Sequence, residues 1–221
     1  MTRVWLAALV AGSLLGYVLP GERVLLQLQT LREKNPPLRV EARLFGEQPD
    51  WPERVRFELH PDFGVRISEE RGGRWLVRGG RVVAASGASV PEWIPGLEIL
   101  VLRSEAALRG WLDQARIDFT VNQLARCGEA DCFVVGGRRA ERQLWIDKDR
   151  FEVLRWVASR RGATEFEGWR DWDRQRFPAA IRIHDRDQVF AEFSVESVAL
   201  ARDLSESDFA PEWARAAPPT H

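Results

Sequence analysis

Side chains that could act as nucleophiles, metal ligands or proton carriers near neutral pH are scarce: two cysteines, three histidines and one tyrosine in 221 residues. Cys127 and Cys132 lie in the string CGEADC. In an exported chain an even pair around a short polar spacer reads as a disulfide. Four intervening residues and no nearby histidine fit a zinc site poorly. Closing so short a loop contributes about 2 kcal/mol, enough to pin a hairpin end. His60 and His184 are internal and His221 is terminal. His184 falls on the polar phase of a strand carrying Ile181 and Ile183, which predicts a solvated imidazole. Asp147 and Asp149 hint at a calcium loop, but its central glycine and distal glutamate are missing, so a turn is the better reading. There is no Gly-x-Ser-x-Gly elbow, no His-Glu-x-x-His and no phosphate loop. The residues predict a protein that is not an enzyme and that needs no metal or cofactor.

Composition narrows the class further. With 32 basic and 33 acidic residues the net charge is −1, which gives no footprint for a nucleic acid partner. A chain 45% hydrophobic and 29% charged is neither disordered nor a polytopic membrane protein. Lys34 and Lys148 are the only lysines, an imbalance that reads as genomic base composition before any special use of guanidinium. Ten tryptophans are a heavy load of rigid apolar surface for one domain.

The elements that must position these side chains begin after an export segment. Val4 to Leu19 runs for sixteen residues without a charge behind Arg3, and Pro20, Gly21 and Glu22 follow. Residues 1–20 therefore read as a signal peptide. The small residues suited to cleavage lie too early, so an uncleaved N-terminal anchor is the alternative. A domain over 22–210 and a flexible tail over 211–221 complete the expected organisation.

Glu22 to Lys34 has Val24, Leu25, Leu28 and Leu31 on one helical stripe, ended by Asn35-Pro36-Pro37. The period then becomes two. Leu38, Val40, Ala42 and Leu44 alternate with charged residues, as do Val55, Phe57 and Leu59. Further strands are expected over 65–68, 74–78, 81–85, 119–126, 132–135, 143–146, 151–157, 164–172, 180–184 and 189–198. Short turns such as Gly79-Gly80 and Asp147-Lys148-Asp149 join them, which implies consecutive antiparallel pairing. A second helix is expected from Ser104, its N-cap, to Arg116, with Leu108, Trp111, Leu112 and Ala115 inward. Two helices about 20 Å long cannot cover a flat sheet of about eleven strands. The sheet must therefore wrap around them as a partial barrel with an apolar inner side. Between the fifth strand and the second helix, WIPGLEILVL carries Glu98 as its only charge; it reads either as an apolar lid or as ordinary core filler.

Several strings resemble the LolA-like family of periplasmic lipoprotein carriers. They are HPDFGVRI leading into GGRWLVRGGRVV, ERQLWIDKDRFEVLRW, EFEGWRDWDRQRFPAAIRIH and the closing strand before SESDFAPE. The resemblance implies a mainly β (α+β) fold: one curved antiparallel sheet forming an unclosed barrel with a helical lid, here Pro91 to Arg116. It also implies an exported, monomeric, non-catalytic carrier that holds lipoprotein acyl chains or other envelope lipid. Membrane-bound donor and acceptor proteins would be its partners, and the periplasm its location. Where such carriers have an Arg-Pro pair that latches the lid, this sequence has His60-Pro61. The candidate lining of cavity and lid is Trp75, Trp93, Ile94, Leu97, Leu108, Trp111, Leu112, Trp145 and Trp156. Trp169 and Trp172, beside Arg170 and Arg174, are expected on an exposed surface or rim, and Trp51 and Trp213 in peripheral segments. An envelope protein-interaction or sensing module on the same scaffold, with its cavity filled by its own side chains, is the alternative.

Overall fold

Alternation of apolar and charged residues gives each strand one dry and one wet face, so strands can build a core only by putting their dry faces on the same side. The computed structural model describes residues 18–46, 54–86, 96–139, 141–160, 162–186 and 188–215, and shows how this happens. Helix α1 (Gly21–Arg32) precedes β1 (Leu38–Gly46), β2 (Arg54–His60), β3 (Gly64–Glu69), β4 (Arg74–Arg78) and β5 (Arg81–Ser86). A 3-10 turn (Leu97–Leu100) and α2 (Glu105–Ala115) come after them. Next come β6 (Asn122–Cys127), β7 (Ala130–Val135), β8 (Gln143–Asp147), β9 (Val153–Val157) and β10 (Gly162–Glu167). The chain continues with β11 (Arg170–Trp172), β12 (Gln175–Phe177), β13 (Ala180–Asp185) and β14 (Gln188–Leu200). A second 3-10 turn (Glu206–Phe209) and α3 (Pro211–Arg215) close the described chain.

Twelve strands form one antiparallel sheet in the order β5-β4-β3-β2-β1-β14-β13-β10-β9-β8-β7-β6, and β11 and β12 form a separate ribbon. Two meanders thus meet where β1 pairs with β14, and the sheet is open, with β5 and β6 at its edges. Those edges are consecutive in the chain, so the segment between them, holding the first 3-10 turn and α2, must pass from one edge of the sheet to the other. On the inner, concave side Leu38, Val40, Ala42 and Leu44 of β1 join Phe57, Phe166, Ile181, Phe193 and both long helices in the main core. Phe57 and Phe193 meet edge to face across β1, with ring centres 5.3 Å apart.

Three departures from the sequence expectations have local causes. The strand expected over 164–172 is broken at Gly168, whose φ of +62° is left-handed, so β11 leaves the main sheet to pair with β12. In α1 Leu31 is 55% exposed while Arg32 is 7% exposed, because the buried stripe runs through Val24, Leu25, Leu28 and Arg32. The tail expected from residue 211 begins instead as α3, with Ala214 fully buried in a small outer cluster with Leu76, Ala84, Leu204 and Phe209. Residues 1–17 and 216–221 lie outside the described residues, as does Trp51.

The disulfide forms as expected between Cys127 and Cys132, across the β6–β7 hairpin. Many arginines, for which the sequence offered no role, stand on the outer face in cross-strand ion pairs. Arg39 pairs with Glu58 at 3.0 Å, Arg56 with Glu41 at 2.6 Å and Arg182 with Glu192 at 2.7 Å.

Candidate functional site

The second helix begins where Ser104 accepts the N–H of Ala107 at 3.1 Å and ends at Arg116, whose φ is +55°. Its inward stripe is Leu108, Trp111 and Leu112, as the spacing predicts. With Leu97, Ile99 and Leu100 of the 3-10 turn these side chains lie against the concave face of the sheet. Trp111, 2% exposed, meets Trp156 of β9 with ring centres 5.3 Å apart. Gly96 lies so close on the Trp156 ring that any side chain there would collide with it. Trp75 is on the same face, in the main core with Val77. Trp75, Leu97, Leu108, Trp111, Leu112 and Trp156 are therefore brought together. Trp93 and Ile94 lie outside the described residues.

Trp145 does not join them. Its strand neighbours Leu144 and Ile146 point into the main core, so Trp145 points the other way and packs with Ala125, Cys132, Val134 and Leu154. Trp156 reaches the concave side because of a bulge: Trp145 pairs with Arg155 but Ile146 pairs with Val153, skipping Leu154. One extra residue shifts the phase of β9 and turns Trp156 inward.

At the His60-Pro61 position the imidazole packs on the outer face, away from the lid. His60 is on the outer phase of β2, stacked on Phe63 at 4.2 Å and edge-on to Phe209 at 5.7 Å, and burial lowers its pKa. Three other contacts hold the lid segment. The Glu98 carboxylate, 3% exposed, accepts the N–H of Gly79 at 2.7 Å and that of Gly80. Gly79 and Gly80, with φ of +59° and +72°, make the β4–β5 turn and aim both amides at one anion. Burial raises the Glu98 pKa, and the two backbone amides and the nearby Trp111 indole offset part of that rise. The indole N–H itself does not reach hydrogen-bonding geometry. At the next residue of the 3-10 turn, Arg32 of α1 donates to the Ile99 carbonyl. Burial lowers its pKa to about 9, so it stays charged at neutral pH, and it forms no ion pair with the described residues. Arg103, just before α2, pairs with Asp62 of the β2–β3 turn.

The sequence singles out Glu98 as a lone charge but does not pair it with Gly79-Gly80, and Arg32 escapes notice there. The signal for Arg32 was the i, i+4, i+8 series Val24, Leu28, Arg32, which continues the buried stripe onto a charge.

Elsewhere the indole N–H groups of Trp156 and Trp169 are buried without an acceptor among the described residues. Trp169 and Trp172 are both half-buried against the main core. Trp172 donates its N–H to the Phe177 carbonyl at 3.1 Å under the Arg170 guanidinium, 3.7 Å from its ring centre, as cation–π stacking predicts. Among the described residues no cluster of histidine, cysteine and carboxylate side chains could hold a metal.

An open antiparallel sheet whose two edges are joined by a lid across its apolar concave side defines the LolA-like fold. A LolA superfamily protein from Nitrosomonas europaea shares it, with a TM-score of 0.54 over 89% of this chain and 100% of that one, at 16% identity. A DUF1329 family protein from Desulfovibrio piger covers 88% of this chain and 97% of its own, with a TM-score of 0.46 and 13% identity. No protein-family profile and no curated protein matches the sequence.

Proposed function

We propose that the protein is an exported lipid-binding carrier or chaperone that holds acyl chains of lipoproteins or other envelope lipids between the sheet and its lid, without covalent chemistry. The observation that carries this reading is the way the lid is held. It lies on an apolar face, and it is fixed by a buried carboxylate and a buried guanidinium whose hydrogen bonds among the described residues go to neutral backbone groups. Apolar residues would fill those positions at lower desolvation cost if the lid were permanent core. Lifting it lets both charges regain water.

The apolar terms are of similar size. Uncovering Leu97, Ile99, Leu108, Trp111 and Leu112 costs roughly 8–15 kcal/mol at about 1.5–3 kcal/mol each. An acyl chain of about fourteen methylenes gains about 11 kcal/mol at 0.8 per CH₂. Exchange of lid for lipid is then close to balance, which is what loading and release both need.

Lipid extraction and native mass spectrometry of the protein purified from its own envelope test the reading. Bound acyl lipid is the expected result; no lipid recovered and no binding of acyl probes would end it. A second reading, a protein-interaction or sensing module with a self-filled interior, draws on the direct contact between Trp111 and Trp156. It requires a protein partner that survives delipidation.

A further inference from the structure

The described chain enters the folded body at one pole. Asn122, at the start of edge strand β6, donates to the Leu19 carbonyl at 2.7 Å. The Pro20 carbonyl accepts the N–H groups of Arg23 and Val24 at 2.8 and 3.1 Å, the opening bonds of α1. Gly21 is buried against the Phe119 carbonyl, too close for any side chain. Removal of the export segment by a cut near Gly21 would take away Leu19 and Pro20 as partners. It would also put a new ammonium group at the positive end of a helix. The folded body thus uses Leu19, the last residue of the apolar run, and Pro20 as hydrogen-bond partners.

That junction leaves no slack, so if the run enters a bilayer the surface around Asn122 must stand at the headgroups. This surface has the matching chemistry. Val18 and Val121 are exposed apolar side chains. Beside Val121 is a groove of about 530 Å³ lined also by Gln123, Gly136, Gly137, Arg138 and Arg139. Arg138 and Arg139 are exposed and form no ion pair with the described residues. The acids close by in the chain are engaged: Asp118 by Thr120 at 2.6 and 3.0 Å, Glu141 by Arg160 at 2.7 Å and Glu22 by Arg109 at 3.8 Å.

We infer that the apolar N-terminal segment is retained in a membrane and that this pole, through Arg138 and Arg139, rests on anionic phospholipid headgroups. The inference concerns the outer pole and stands or falls separately from what occupies the concave side. Each guanidinium at such a surface strengthens association about fivefold.

The test is amide hydrogen exchange on the full chain reconstituted in phosphatidylcholine vesicles with and without phosphatidylglycerol. Amides of 121–124 and 136–139 are expected to exchange at least about tenfold more slowly on the anionic vesicles. The double variant Arg138→Glu, Arg139→Glu should lose that difference while amides of β2 and β3 keep their rates. Equal rates on both vesicles would overturn the inference. So would equal protection by inorganic phosphate on neutral vesicles, which would mark a free-anion site, or an exported protein whose N-terminus lies within or beyond the run Val4 to Leu19.

Discussion

Two covers lie on opposite faces of one sheet, and they are fastened differently. The C-terminal cover on the outer face is held by exposed or half-buried arginines that meet an acid, an indole ring and a backbone carbonyl. Arg66 stands 4.0 Å over the Trp213 ring of α3 and pairs with Glu58 at 3.0 Å and Asp208 at 3.4 Å. Arg78 adds a bond to the Phe209 carbonyl at 2.7 Å, and Ser205 and Asp208 cap the second 3-10 turn reciprocally. On the inner face the buried charges Glu98 and Arg32 each face neutral backbone dipoles, and the lid's ion pair, Arg103 with Asp62, is half-exposed. A charge held by an opposite charge loses that attraction on release, whereas a buried charge held by dipoles regains its hydration. On the proposed reading the same sheet carries a cap that stays and a lid that leaves.

The change that should widen this contrast most is Trp111→Asp. It puts a carboxylate where an acyl chain would lie and should cost the lipid-filled state, like the closed one, about 3–5 kcal/mol. The expected result is complete loss of acyl-probe binding with the β-sheet circular dichroism retained; loss of the sheet signal as well would make Trp111 core. Trp213→Ala on the outer cover should act globally instead. It should lower unfolding stability by about 2 kcal/mol, less than a fully buried tryptophan because the ring is partly exposed. Chemical denaturation should register this with no change in acyl-probe affinity. Replacing both cysteines by serine removes about 2 kcal/mol of loop constraint and should fray only β6 and β7, seen as faster amide exchange there.

pH separates the covers more finely. Glu98 has a raised pKa in the closed lid and an ordinary one, near 4.5, once the lid opens. The closed state therefore binds its proton more tightly. Closure is strongest below the ordinary value and weakens as pH rises toward the raised one. Exchange of the 97–102 amides should speed up over that rise, and Glu98→Gln should flatten the trend. Glu69 on β3, raised to about 7 by burial, loosens the sheet rim in the same direction, and this part should persist in the variant. The smallest effect is expected for Arg103→Ala. Its ion pair with Asp62 is half-exposed, so lid exchange should change by no more than about 1 kcal/mol.

Period-two alternation made most of the sheet legible, since β1 and β2 bury the residues their sequences predict. Alternation also held the information that Trp145 opposes Leu144 and Ile146, and residue type alone places it on the wrong side. Trp156 shows the converse. Strict alternation from Val153 would turn it outward, and only the bulge at Leu154, which no local pattern announces, turns it in. The lid was legible as an apolar segment with one charge. Its fastening was not, because the partners of Glu98 are backbone amides 18 and 19 residues away, and backbone amides leave no trace in side-chain pattern.

The central claim is that acyl chains enter between Trp111 and Trp156. Titration with a fatty-acyl probe brominated along its chain reads this through tryptophan fluorescence. The account predicts saturable quenching that largely disappears in Trp111→Phe, Trp156→Phe and persists in Trp145→Phe. Quenching that is absent from the folded protein, or that is lost with Trp145 instead, would contradict it.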